Sequence, residues 1–116
     1  MAMKRIPSHQ LGPVDLVPRA LIRWSVAHLT DHLGLAFDRD IDDLDAFSAA
    51  WFRLDSLTFG FLHHDGEPAE TTGLYLDRKL TPAEAHKAIA RILRKFNIPP
   101  DDLAWVETVN LQHQPA

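Results

Sequence analysis

The chain has no cysteine, and that absence removes disulfides, thiolate nucleophiles and every cysteine-ligated zinc or iron–sulfur site. It fits a reducing compartment, and a cytoplasmic location is expected. Long apolar runs are missing too. Lys4 and Arg5 are followed by Pro7, Ser8, His9 and Gln10 where a signal peptide needs a hydrophobic stretch. No other segment approaches the ~18 uninterrupted apolar residues of a membrane helix, so no membrane association is expected. Glycine is sparse, and Gly12, Gly34, Gly60, Gly66 and Gly73 are too scattered to form a phosphate-cradling loop. No serine sits in a Gly-x-Ser-x-Gly elbow; Ser25, Ser48 and Ser56 are hydrolase candidates by residue type alone. Internal repeats and low-complexity segments are also absent.

What is present describes an ordinary folded domain. With 116 residues, 46% of them hydrophobic and 24% charged, the chain can bury one core without staples and is not disordered as a whole. The expected organisation is an N-terminal arm over residues 1–17, a single α+β domain over 18–111 and a tail over 112–116. Pro7, Gly12 and Pro13 break any period in the arm.

Periodicity places the elements. Pro18 suits a first helical turn, and Ile22, Val26, Leu29 and Leu33 follow at helical spacing to a left-handed cap at Gly34, predicting a helix over 18–33. Ala20, Trp24 and Ala27 form a second apolar strip on it, so this helix is either sandwiched or offers Trp24 as an interface anchor. Leu44, Phe47, Trp51 and Leu54, spaced three, four and three, predict a short helix over 43–51, capped by Asp42 or Asp43. Alternation then takes over: Leu57, Phe59 and Phe61, Asp65-Gly66 as a turn, and Thr72, Leu74 and Leu76 predict a hairpin of 57–64 with 71–78. Residues 52–55 are a candidate for a preceding strand. Thr81, Pro82 and Glu84 spell a capping box, and Asn97 with Pro99-Pro100 a stop, for a helix over 82–96. Trp105, Val109 and Leu111 lie on one side of a last strand over 104–111. The expected fold class is therefore α+β, with a mainly antiparallel sheet of three to four strands packed with three helices.

Charge is the most uneven property along the chain. Asp38, Asp40, Asp42, Asp43 and Asp45 face only Arg39 within eight residues, whereas Arg78, Lys79, Lys87, Arg91, Arg94 and Lys95 face only Glu84. The acidic run begins like a calcium loop at Asp38, Asp40 and Asp42, but Asp43 stands where the turn needs glycine and Ala49 where a bidentate glutamate is needed. No metal or cofactor is expected. His28 and His32 have the i, i+4 spacing of a zinc pair, which His63, His64 and Asp65 would have to complete, and the zinc-protease glutamate is missing from HLTDH. His63, His64 and Asp65, with Tyr75 and Asp77 nearby, are also the centre of the small-enzyme alternative.

Lys87, Arg91, Arg94 and Lys95 line one face of the helix over 82–96, a ridge able to follow phosphates. Neither a stacking-aromatic motif nor a helix-turn-helix accompanies it. The net charge of −4 also makes nucleic acid the less favoured partner. No family resemblance carries residues over. In class alone, a small, acidic, cysteine-free α+β chain with a dense aspartate segment and no catalytic set resembles the bacterial immunity proteins that neutralise toxins. That resemblance implies a non-enzymatic module binding a protein with a basic surface, such as a nuclease-like toxin. Asp38, Asp40, Asp42, Asp43 and Asp45 would form its surface and Trp24 its anchor; a second copy of the chain is the other protein partner considered.

Overall fold

A computed structural model describes residues 3–7, 11, 15–41 and 45–106. Among these residues seven strands and two α-helices follow one another as β1 Met3–Ile6, β2 Leu16–Ile22, α1 Val26–Leu33, β3 Asp38–Ile41, β4 Ala46–Leu54, β5 Leu57–His64, β6 Thr72–Asp77, α2 Pro82–Phe96 and β7 Leu103–Val106. The strands form one sheet ordered β1-β4-β5-β6-β2-β7, and β3 also pairs with β4. Every strand pairing is antiparallel. The α+β class holds, with a sheet larger than the three to four strands expected. No helix among the described residues is long and apolar enough to cross a membrane.

Two predicted helices are corrected. The segment 43–51 is strand from Ala46 onward, and β4 runs on to Leu54, taking in most of the candidate strand at 52–55. Its pairing with β5 is continuous from Phe47↔His64 to Leu54↔Leu57, which a helix cannot make. The predicted helix over 18–33 divides: Pro18 and Ile22 belong to β2, and α1 begins only at Val26, with Ser25 accepting a hydrogen bond from the His28 amide as N-cap. Pro18 is tolerated in the sheet because the β2–β6 register shifts between Pro18 and Ala20, the kind of irregularity that spares a missing N–H. The last predicted strand is present as β7; Val109, Leu111 and the tail 112–116 lie outside the described residues.

Other expectations stand in atomic detail. Thr81 and Glu84 exchange side-chain to backbone bonds of 3.1 and 2.8 Å at the start of α2. Asn97 ends it at φ 56, and the Ile98 amide reaches back to the Leu93 carbonyl at 2.9 Å. The hairpin of β5 and β6 forms, with Phe59 opposite Leu76 and Phe61 opposite Leu74.

The sheet buries both faces. Alternation sends Ala50, Phe52 and Leu54 of β4, Phe59 and Phe61 of β5, Leu74 and Leu76 of β6, and Ala20 and Ile22 of β2 into one core with α1 and α2. The opposite face carries a smaller cluster of Ile6, Ala49, Trp51 and Leu62, joined by Leu11, Leu16, Phe47 and Tyr75. Strand β1 lies beside β4 while β2 lies beside β6, so β4, β5 and β6 separate the two in the sheet. Leu11, between β1 and β2 in sequence, packs on the smaller cluster.

Candidate functional site

The acidic segment is an edge, not a helix entry. All four residues of β3 are exposed, and strand alternation sorts their charges. Asp38 is paired with Ala49 and Asp40 with Phe47, so both carboxylates share one face; Arg39 and Ile41 point the other way. Asp38 lies 3.7 Å from the Arg5 guanidinium, and Asp40 accepts the Ile41 amide at 2.8 Å. Asp45 is half-buried and binds backbone, accepting the Ala46 and Gly66 amides at 2.8 and 3.3 Å. Asp42 and Asp43 lie outside the described residues.

On the other face of β3, the Arg39 guanidinium makes two parallel bonds of 2.8 Å to the Asp65 carboxylate and a third, of 2.9 Å, to Ser48 Oγ. His63 lies opposite Ser48 in the β4–β5 register, but its Nδ1–H donates to the Thr71 carbonyl at 2.8 Å, and Asp65 binds Arg39 instead of an imidazole. His64, on the opposite side of the strand from His63, lies 3.5 Å from Glu67. The constellation is an ion-pair clasp across β3, β4 and the end of β5.

The hydrogen bonds from Arg39 hold the Asp65 carboxyl below its ordinary value, with their mutual attraction adding to the shift. A carboxylate depressed in the folded state contributes stability above its unfolded value near pH ~4 and loses it as pH falls through the folded value. Asp65→Asn is therefore expected to lower the melting temperature at neutral pH, with the gap to wild type closing progressively below about pH 4. Thermal unfolding monitored from pH 7 to 2 checks this. A gap that stays constant over the range would place the loss elsewhere than in the ionised pair.

Trp24 is corrected as an exposed anchor, because it is only 5% exposed. Its indole Nε1–H donates to Asp102 Oδ2 at 2.7 Å, its carbonyl accepts from Thr72 Oγ1 at 2.7 Å, and His28 stacks on the ring at 4.1 Å. His32 meets both rings edge-on at 5.2 and 5.6 Å. The helical spacing that suggested a zinc pair thus serves to wrap an indole. Among the described residues no group of three or more potential ligands could hold a metal.

The basic ridge forms on α2. Lys87, Arg94 and Lys95 are exposed, whereas Arg91 is half-buried and bonds Asp55 at 2.7 Å. A buried arginine unforeseen from sequence, Arg19 on β2, donates to the Asp77 and Leu80 carbonyls at 2.7 and 2.9 Å and so fixes the turn into α2.

The feature with no sequence forecast is a groove of about 430 Å³ between α2 and β7. Ile89, Ala90 and Leu93 line one side and Leu103 and Val106 the other, with His86 and Arg94 contributing its polar character. Ile89 and Leu93 are legible as a helix stripe; that part of the stripe borders an open groove follows only from the place of β7 at the sheet edge. Comparison of the chain with protein-family models, curated proteins and solved structures finds no match.

Proposed function

We propose that this chain is a non-enzymatic protein-binding module whose partner presents a basic surface, in the manner of a small immunity-type protein that neutralises a nuclease-like toxin. What carries the reading is the sorting of charge on β3. Asp38 and Asp40 stand together on one exposed face, and the intervening Arg39 is turned away and held by Asp65. Its charge is therefore not spent against its neighbours. Asp45 sits beside the same edge, and Asp42 and Asp43 belong to the same stretch of sequence. A cleft built to hold phosphates is cationic, so such a carboxylate edge both steers encounter and competes for the basic groups. Trp24 has no part in this surface.

The test compares wild type with a variant carrying Asp38→Asn and Asp40→Asn, each immobilised and exposed to a lysate of the native organism. The captured partner is then purified for kinetics. The wild type is expected to retain a basic protein, with an association rate that falls steeply between about 0.05 and 0.5 M salt, as screening shortens the reach of exposed charges. The variant is expected to associate roughly tenfold more slowly at low salt and to show little further salt dependence. Equal rates and equal salt dependence in the two proteins would sink the acidic-edge reading. Capture of nucleic acid in place of protein would transfer the function to Lys87, Arg94 and Lys95 on α2.

A further inference from the structure

The opposite edge of the sheet has a different chemistry. We infer that the groove between α2 and β7 receives an extended segment of another protein, added as a strand along β7, with apolar side chains at alternate positions and an acidic side chain for Arg94.

The backbone identifies the occupant as a strand. The sheet order ends at β7, so the outer N–H and C=O groups of Leu103–Val106 have no strand partner among the described residues. Such a row is a template for an incoming chain, which gains main-chain hydrogen bonds there and specificity from pockets for every second side chain. The groove supplies those pockets on the helix side. Leu103 and Val106 form its floor, and Ile89, Ala90 and Leu93 its wall. Its volume of about 430 Å³ lies within the usual range for ligand pockets.

The other face of the edge is apolar as well. Trp105 is paired with Leu21, on the side of the sheet away from α2, and is 49% exposed. A strand laid along β7 therefore meets hydrophobic surface on both its faces, whereas a small molecule in the groove leaves Trp105 unaccounted for. Charge selects among strands. Arg94 lines the groove, is exposed and makes no ion pair among the described residues, and Lys87 and Lys95 lie on the same helix. A second copy related by a twofold axis would bring this cationic helix against itself, so the complementary occupant is an acidic segment of a different protein.

This edge lies across the sheet from β3, and the inference stands independently of the acidic-edge reading. The probe is a random dodecapeptide library displayed on phage and panned against the whole chain, with enriched sequences synthesised and their affinities measured by calorimetry. Enriched peptides are expected to alternate apolar residues and to carry an acid. Ala90→Phe, which fills the groove from an exposed helical position, should weaken them at least about tenfold. Arg94→Glu should weaken them on the order of tenfold, and replacing the peptide's acid by lysine should restore binding to that variant. Lys4→Gln, an exposed position on β1 at the far edge, should leave affinity unchanged.

The inference is overturned if no peptide is enriched, or if the enriched peptides bind the Ala90→Phe protein as tightly as wild type. It is equally overturned if sedimentation shows a wild-type dimer that Ala90→Phe splits, because the groove would then be an interface between copies.

Discussion

Phe61→Ala is expected to lower the free energy of unfolding by about 3–5 kcal/mol, the range for removing a fully buried aromatic ring from a core that only partly closes over the space. Phe61 has no solvent exposure and sits on β5, with strands on both sides. Its ring lies 6.2 Å from Phe52, 6.3 Å from Phe59 and 5.4 Å from Phe96, all in edge-to-face geometry. Phe96 is on α2, so the ring joins the helix layer to two strands. Truncation removes the transfer free energy of the ring, these aromatic contacts and the fit of α2 at once. Equilibrium unfolding in urea should show the loss as a lower midpoint with an unchanged slope. A loss below about 1 kcal/mol would mean that the four rings do not act as one packed cluster.

Gly60→Ala is expected to cost about 1–3 kcal/mol, although it adds one methyl group to a strand that would otherwise favour it. On the smaller-core face the Trp51 indole lies flat over Gly60, its cross-strand partner. A Cβ at Gly60 would clash with the Cε3 and Cζ3 atoms of the Trp51 ring and fall 2.9 Å from the Ala50 carbonyl oxygen. The ring is only 7% exposed and cannot swing freely aside. The decisive experiment is the double substitution. Trp51→Val removes the obstacle, so adding Gly60→Ala to it should cost far less than in wild type, with a coupling of roughly 0.5–3 kcal/mol. Additive losses would show that the obstruction is backbone and not indole.

How much of this was legible follows from where the burial falls. The capping box at Thr81 and Glu84 and the stop at Asn97 were readable because α2 covers one face of the sheet and keeps the other in water, leaving a clean 3.6-residue stripe. The segment Ala46–Leu54 misleads for the opposite reason. Ala50, Phe52 and Leu54 enter one core while Phe47, Ala49 and Trp51 face the other, so a strand buried on both sides shows no alternation. Phe47, Trp51 and Leu54 then fall at helical spacing by accident. The same double burial disguised β2. The second apolar strip through Ala20 and Trp24 was the visible symptom of a strand joined to a helix, read as one sandwiched helix. The aspartates were legible as a charge block, yet their sorting required knowing that Asp38–Ile41 is extended. Neither the Arg39–Asp65 clasp, joining positions 26 residues apart, nor the open side of β7 leaves a local pattern in the chain.

The separation of β1 and β2 in the sheet sets a timetable for folding. Strands β4, β5 and β6 each pair with the next in the chain, β4 and β5 through a tight turn with Leu54 opposite Leu57, and can assemble as soon as they exist. The two earliest strands cannot. Met3 waits for Leu54, Ile22 for Thr72, and Ala20 for Val106, the last described residue. At ~5–20 residues per second of synthesis, Ala20 precedes its final partner by on the order of ten seconds. During that interval β2, among the most apolar strands, can have at most one neighbour. Docking during translation is therefore staggered: β1 can join as soon as β4 is made, whereas β2 keeps one edge open until β7, the last described strand, arrives.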